Sequence, residues 1–134
     1  MTKNERAGSQ CHPDHVAVGK LAFDASFAAT LPGYKVKTEG AAKMVPIYYM
    51  DTPAGVSFLL TEYVDITDEM DLKLQMLECH ESQVGWMRDH DHIEFSDMVI
   101  TACRYRGYQC GAEYAEAFRP CMAYLKGTAT RLLP

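Results

Sequence analysis

The stretch Cys11-His12-Pro13-Asp14-His15 decides how the rest of the chain is interpreted. Two histidines flanking a proline and an aspartate place two imidazoles and a carboxylate in one tight turn, because proline restricts its own backbone and that of the preceding residue. One imidazole can bind a metal, a carboxylate can orient the other, and a protonated imidazole can stabilise an oxyanion. Taken alone, the motif is better explained as a helix N-terminus capped by Asp14 with two solvated histidines.

An alanine-rich helix is predicted directly after the motif. It runs from Val16 until Pro32-Gly33 ends it. Its apolar face contains Val18, Leu21, Ala22, Ala25, Ala28 and Ala29. His12 and His15 are therefore expected just before this helix or in its first turn. Residues 1–10 show no apolar periodicity, and we expect them to be flexible.

Two extended segments follow in the sequence. Residues 44–50 form a β-branched and aromatic run that ends at Asp51, although Pro46 indicates an edge strand or an irregular start. Residues 58–66 are expected to supply a second extended segment. The tail, residues 112–125, is compatible with either a strand or irregular structure.

Two further amphipathic helices are predicted. The first is capped by Thr67 or Asp68 and has His80 and Gln83 near its end. Its core-facing stripe contains Met70, Leu74 and Leu77, with the stem of Lys73 packed on the same side. The second is capped by Ser96 and ends at Gly107. Its stripe contains Met98, Ala102 and Tyr105.

Composition limits the classes of function. The 134 residues allow one domain, and 48% hydrophobic with 23% charged residues is typical of a folded globular protein. A net charge of −5 with scattered basic residues argues against nucleic-acid binding. No apolar run is long enough for a membrane span and no leader is evident, so a cytoplasmic location is expected. Five cysteines without a CxxC pair are expected to be free thiols.

Four blocks of sequence resemble the LmbE/PIG-L family of zinc-dependent N-acetylglucosaminyl deacetylases. They are His12-Pro13-Asp14-His15, Tyr63-Val64-Asp65-Ile66-Thr67 leading into the helix with Lys73, His80-Glu81-Ser82-Gln83, and residues 111–119. The blocks stand in the family's order and cover residues 11–134. The resemblance implies an α/β fold, a partial Rossmann-like α/β/α layered domain that lacks the N-terminal strand–helix units, with residues 11–134 forming part of one deacetylase domain.

The resemblance also implies roles for three residues. His15 corresponds to a zinc ligand, His12 to the histidine that stabilises the tetrahedral intermediate, and Asp14 to the carboxylate that orients His12. The implied reaction is hydrolysis of an N-acetyl group from an amino-sugar substrate, in which zinc polarises the amide and lowers the pKa of its bound water.

The sequence departs from the family pattern in one decisive respect. The family's other zinc ligands and its general base lie in a His-Pro-Asp-Asp block after the first strand, and no such block occurs in this sequence. His15 alone is expected to be a poor zinc site, because catalytic zinc has three protein ligands. The chain is therefore expected to be a member that has lost its N-terminal half and to show little or no activity by itself.

Several other polar residues leave alternatives open. His80 and Gln83 are either a hydrogen-bonding pair that fixes local packing or substrate contacts. Glu116 and Arg119 are either ion-pair residues or substrate contacts. Residues 88–92 with Glu94 alternate histidine and acid, which is commoner in a solvated charged loop than in a metal site.

Two further interpretations compete with the isolated deacetylase fragment. One is a non-catalytic remnant that acts as an oligomerisation or partner-binding module, because a sheet edge without its neighbour favours association. The other is a split enzyme whose complementing N-terminal half is a separate polypeptide. Homo-oligomerisation and complementation are therefore the expected kinds of partnership.

Overall fold

Four helices and three strands follow one another in the part of the chain that the structure, a computed structural model, describes: residues 13–34, 40–56 and 58–122. They are α1 (Pro13–Ala28), β1 (Tyr48–Met50), β2 (Glu62–Asp65), a 3-10 turn (Thr67–Glu69), α2 (Met70–Glu78), α3 (Glu81–Asp89), α4 (Phe95–Cys110) and β3 (Ala115–Pro120). None of the helices described has the length and apolar character that crossing a bilayer requires.

The strands form one sheet in the order β1-β3-β2. β2 and β3 are antiparallel, with Tyr63 opposite Ala117 and Asp65 opposite Ala115. The pairing of β1 with β3 is antiparallel as well, since the Asp51 N–H donates to the Ala117 carbonyl at 3.0 Å and the Cys121 N–H donates to the Ile47 carbonyl at 2.8 Å. The prediction of a partial α/β domain is confirmed: the chain has a small mixed α/β fold with a three-stranded antiparallel sheet and four helices in its described part.

The chain divides into two compact units. The first contains, among the described residues, α1, residues 40–49 and residues 120–122; the second contains residues 50–119 apart from position 57. The predicted flexible segment, residues 1–10, lies outside the described residues. The assignment of residues 11–134 to part of a single larger domain stays a prediction.

In the first unit, α1 begins at Pro13, three residues earlier than predicted. Proline is favoured at the first position of a helix because its absent N–H would have no partner there. After Ala28 the chain leaves the helix through a turn, and the Ala42 N–H donates to the Ala29 carbonyl at 2.8 Å. The helix contains no buried residue.

The core of the second unit lies between β2, α2 and α4. Ile66, Met70 and Cys103 are its buried members. Partly buried residues pack around them: Val64, Leu74, Val99, Ile100 and Tyr114. The predicted inward stripe of α2 is therefore confirmed for Met70 and Leu74. On β3, Ala115 and Ala117 are buried, as alternation along a strand requires of residues two positions apart.

The predicted ends of α2 and α3 are corrected by the structure. The N-cap of α2 is Glu69 without a side-chain hydrogen bond, because the Thr67 hydroxyl donates to Asp65 instead. α2 ends at Glu78, so His80 does not lie in it, and a separate helix α3 starts at Glu81. α3 continues to Asp89, which makes the first two residues of the predicted charged loop helical.

The stripe predicted for α4 is wrong by one position. Tyr105 is 57% exposed, whereas Cys103, Arg106 and Gly107 are buried. The N-cap is Glu94 rather than Ser96, and Gly107 lies within the helix rather than after it. The left-handed residue that ends the helix is Gly111, with φ of 83°. An arginine and a glycine at buried positions do not produce an apolar pattern, which explains the error.

The two predicted extended segments are shorter than expected. Only Tyr48–Met50 of residues 44–50 and Glu62–Asp65 of residues 58–66 are strands. Pro46 accounts for the late start of β1, because it has no N–H to donate to a neighbouring strand. The undecided tail contains strand β3.

Candidate functional site

The first turn of α1 holds Asp14 and His15, so Asp14 lies inside the helix and is not its cap, which corrects that interpretation of the motif. Both residues are exposed, and neither is without a partner. The carboxylate of Asp14 is favoured there because the N-terminus of a helix carries partial positive charge. His12 lies outside the described residues, so its relation to Asp14 stays a prediction.

Side chains that can bind a metal occur throughout residues 13–34, 40–56 and 58–122. No three histidine, cysteine, aspartate or glutamate side chains in these segments lie close enough together to hold a metal ion. His15 supplies one ligand at most, while a catalytic zinc site takes three from the protein. The described residues therefore do not fit a complete zinc site, and zinc binding stays a proposal.

The charged loop after α3 has a local structure of its own. The ring of His90 stacks on Trp86 with centroids 4.3 Å apart, and its Nδ1 lies 2.8 Å from Asp91 Oδ1. His92 adopts a left-handed backbone with φ of 56°. These contacts account for the histidines of the loop as local packing and turn residues.

Glu116 of β3 forms an ion pair with Lys73 of α2. The side chains are 32% exposed for Lys73 and 29% for Glu116. The sequence leaves Glu116 as either an ion-pair residue or a substrate contact, and the structure supplies a partner for the ion pair. That partner is Lys73, for which the sequence predicted only a stem packed on the core. The position of Lys73 on the apolar stripe of α2 was the feature of the sequence that could have indicated this ion pair. Arg119 instead places its guanidinium 5.4 Å from the ring centroid of Phe58.

An open groove of about 260 Å³ lies beside this ion pair. It is lined by Ile66, Glu69, Leu72, Lys73, Met76 and Glu116. Behind it, burial raises the pKa of the Cys103 thiol, an effect that the nearby Lys73 ammonium partly offsets. The Cys103 side chain is buried and does not line the groove, so the groove itself offers apolar walls and an ion pair.

Replacing Lys73 with methionine is expected to lower the free energy of unfolding by about 1 kcal/mol, the upper end for partly exposed ion pairs. Lys20→Met is the matched control, because it removes an exposed pair with Asp24 at 3.0 Å, and about 0.3–0.5 kcal/mol is expected from such a pair. Urea denaturation followed by circular dichroism measures both. Equal losses in the two variants would contradict a structural role for Lys73–Glu116.

His80 and Gln83 lie at the junction of α2 and α3. The His80 carbonyl accepts hydrogen bonds from the N–H groups of Gln83 at 2.9 Å and Val84 at 3.0 Å, while its side chain does not cap the helix. Both side chains are exposed, and neither lines the groove. These bonds involve main-chain atoms only, so both interpretations of the His80 and Gln83 side chains, local packing and substrate contact, stay predictions.

A hydrogen-bonded turn connects β2 to the 3-10 segment within the second family-like block. Asp65 Oδ1 accepts hydrogen bonds from the Thr67 hydroxyl at 2.6 Å and the Thr67 N–H at 2.9 Å. Both hydrogen bonds lower the pKa of Asp65, and the bond from the Thr67 hydroxyl has the larger effect. A carboxylate with a lowered folded-state pKa stabilises the fold above its ordinary pKa, and this contribution is lost as the pH falls through the folded-state value.

Thr67→Val is therefore expected to raise the pKa of Asp65 towards its ordinary value, because the stronger of the two donors is removed. The carboxyl resonance of Asp65, followed by NMR during an acid titration, measures the change. Thr61→Val, placed just before β2, is the control and should leave that titration unchanged. An unshifted Asp65 in Thr67→Val would show that the hydroxyl does not set its pKa.

A buried ion pair that the sequence did not reveal joins the segment after β1 to α4. Arg106 donates to Asp51 Oδ2 from Nε at 2.7 Å and Nη2 at 2.5 Å, and from Nη1 to Gln109 Oε1 at 2.9 Å. The side chains of Arg106 and Asp51 are 9% and 14% exposed. A Cβ on Gly55, whose φ is 64°, would lie 2.9 Å from Arg106 Nη2. The pair therefore fixes the segment after β1 against α4.

Comparisons with known proteins concern the fold alone. No family model and no curated protein sequence matches the chain. The crystal structure of GalB, the 4-carboxy-2-hydroxymuconate hydratase from Pseudomonas putida KT2440, is similar with a TM-score of 0.66 and 20% sequence identity. The match covers 92% of this chain and 52% of GalB. This chain has the fold of about half of that enzyme. It spans about half the length of the solved structure that it matches.

Proposed function

We propose that this chain contributes one part of a zinc-dependent hydrolase of the LmbE/PIG-L type, which removes N-acetyl groups from N-acetylglucosamine-like substrates. The observation that carries the proposal is the start of α1, where the His-Pro-Asp-His block places Asp14 and His15 in the first turn of a helix. The three later blocks follow in order, and the fold is shared with half of an enzyme.

In this proposal each residue of the block has its own role. His15 would be one metal ligand, His12 would stabilise negative charge on the substrate carbonyl oxygen, and Asp14 would orient His12. The remaining ligands and the general base belong to the half of the fold that this chain does not cover. Glu116 acts through Lys73 to position β3 against α2.

Zinc titration by calorimetry tests the proposal on the chain alone. We expect no tight one-to-one binding and no release of acetate from N-acetylglucosamine, because His15 is a single ligand. Weak residual binding should be lost in His15→Ala and retained in His92→Ala. Tight stoichiometric binding with turnover by this chain would contradict the proposed division of the site.

A second candidate reaction is the hydration of a carbon–carbon double bond in a carboxylated small molecule, because the matched solved structure is a hydratase. Hydration and amide hydrolysis both add water to the substrate. An assay that offers the chain 4-carboxy-2-hydroxymuconate and N-acetylglucosamine in parallel, with and without zinc, separates the two. Turnover of the muconate alone would favour the hydratase.

A non-catalytic module for oligomerisation or partner binding is the remaining proposal. Among the strands that the structure describes, β1 and β2 lie at the edges of the sheet, and an edge strand presents main-chain groups that can pair with another chain. Size-exclusion chromatography with light scattering tests this: a dimer or higher oligomer supports it, while a monomer that binds no metal contradicts it.

A further inference from the structure

The open groove beside the Lys73–Glu116 ion pair is lined along one side of α2. The helix contributes its cap residue and three others, at the spacing i, i+3, i+4 and i+7 that places residues on one face: Glu69, Leu72, Lys73 and Met76. Leu72 is 52% exposed and Met76 is 63% exposed. The groove therefore presents two large apolar side chains, one helical turn apart, directly to solvent.

The dimensions of the groove argue against a small molecule as its occupant. Its volume is about 260 Å³. Sites for small ligands usually measure about 300–1,000 Å³ and bury most of the ligand surface. In this groove Leu72 and Met76 are both more than half exposed, so a small ligand would stay largely in water. An open apolar groove is better suited to an amphipathic helix, which lays one face into the groove and keeps the other in solvent.

The charge of this surface indicates the chemistry of that helix. Residues 65–78 contain five carboxylates and a single ammonium, that of Lys73, which is already paired with Glu116. The Glu69 side chain lines the groove, and within the part of the chain that the structure describes its carboxylate has no ion pair or hydrogen bond. Since interfaces bring opposite charges together, an unpaired anion beside apolar walls favours a partner with a cationic side chain.

We propose that the groove binds a basic amphipathic helix of a partner protein. Large aliphatic side chains of that helix, such as leucine, pack on Leu72 and Met76, and a lysine or arginine pairs with Glu69. A second copy of this chain is a poorer occupant, because a symmetric contact would bring two acidic surfaces together. The inference does not depend on the proposed hydrolase chemistry, since neither Asp14 nor His15 lines the groove.

Titration of the full chain with two synthetic peptides tests the inference. Both peptides carry leucine at helical spacing; one has lysine and the other glutamate at the remaining positions. NMR of the methionine methyl groups follows binding at Met76. The lysine peptide is expected to shift the Met76 resonance, with an affinity that falls as salt is added, and the glutamate peptide to bind at least about tenfold more weakly. No shift at Met76, or equal affinity for the two peptides, would overturn the inference.

One pair of variants tests the apolar contact. Leu72→Lys should weaken binding of the lysine peptide about tenfold, because it places an unpaired charge in an apolar contact. The matched control is Leu59→Lys, which adds the same charge at a residue that is 77% exposed and does not line the groove, and it should leave the affinity unchanged. Circular dichroism confirms that each variant is folded. An unchanged affinity in folded Leu72→Lys refutes docking in the groove.

A second pair of variants tests the charge. Glu69→Lys should weaken binding of the lysine peptide about tenfold, because it replaces attraction by repulsion inside the groove. Glu78→Lys makes the same change in net charge nine residues later, on the opposite face of α2, and should have little effect at physiological salt. Equal weakening by both would mean that the peptide responds only to net charge, which contradicts the proposal. Light scattering adds a further test: a dimer that dissociates in Leu72→Lys would make a second copy of this chain the occupant and refute the inference.

Discussion

Arg106→Ala is expected to lower the free energy of unfolding by about 3–5 kcal/mol, which is the cost of removing one partner from a buried ion pair. The guanidinium donates to Asp51 through two nitrogens and to Gln109 through the third. Without it the Asp51 carboxylate, which is 14% exposed in the intact pair, loses its opposite charge. Guanidinium chloride denaturation followed by circular dichroism measures the loss.

The control for this effect lies on the same helix. Arg104→Ala removes an exposed guanidinium that packs over the Tyr114 ring at 5.2 Å, and a much smaller loss is expected. The double variant Arg106→Met with Asp51→Leu should recover much of the stability, because replacing both members of a buried pair by apolar residues avoids an unpaired charge. A double variant as unstable as Arg106→Ala would contradict this account.

Gly107→Ala is expected to destabilise the fold by about 3 kcal/mol, at the upper end for an overpacked site. A Cβ at this position would lie 2.6 Å from the carbonyl oxygens of Ala112 and Glu113. Both are main-chain atoms, so relief requires the segment that leads into β3 to move. Chemical denaturation measures the effect, and a stabilised Gly107→Ala would refute the close approach.

Gly85→Ala is expected to change the free energy of unfolding in the opposite direction. Gly85 lies inside α3, and a Cβ there would meet no atom within 4 Å. Alanine loses less conformational entropy than glycine in a helix, so a gain of about 0.5–1 kcal/mol is expected. The comparison isolates the steric effect at Gly107, because both substitutions add the same methyl group to a helix.

The sequence predicts those parts of the fold that rest on local patterns. Met70 and Leu74 follow helical spacing and face the core, and the alanine-rich pattern predicts α1, although the helix begins at Pro13 and not at Val16. The pattern fails on α4, where the buried positions include Arg106 and Gly107. These two residues are buried because of contacts with other parts of the chain. Arg106 pairs with Asp51 at a separation of 55 residues, and the absence of a side chain at Gly107 lets the main chain before β3 pass close to α4.

The candidate site likewise has one part that the sequence predicts and one part that it does not. The motif places Asp14 and His15 correctly, because a helix start is local. The partner of Glu116 depends on α2 packing beside β3, and sequence alone could suggest only that Lys73 lies on the inner stripe. No three potential metal ligands lie together in the described residues, so no pattern around His15 predicts such a group.

The stacking of Trp86 on His90 determines which spectroscopic signal reports unfolding of the core. Trp86 is the chain's single tryptophan, it is 56% exposed, and it stacks on His90 rather than on the core. Its emission follows the separation of this surface pair. Tryptophan fluorescence would therefore change when α3 frays, before the Met70–Cys103 core opens. Far-ultraviolet circular dichroism, to which α2 and α4 contribute directly, is the signal that tracks the losses expected at Arg106 and Gly107.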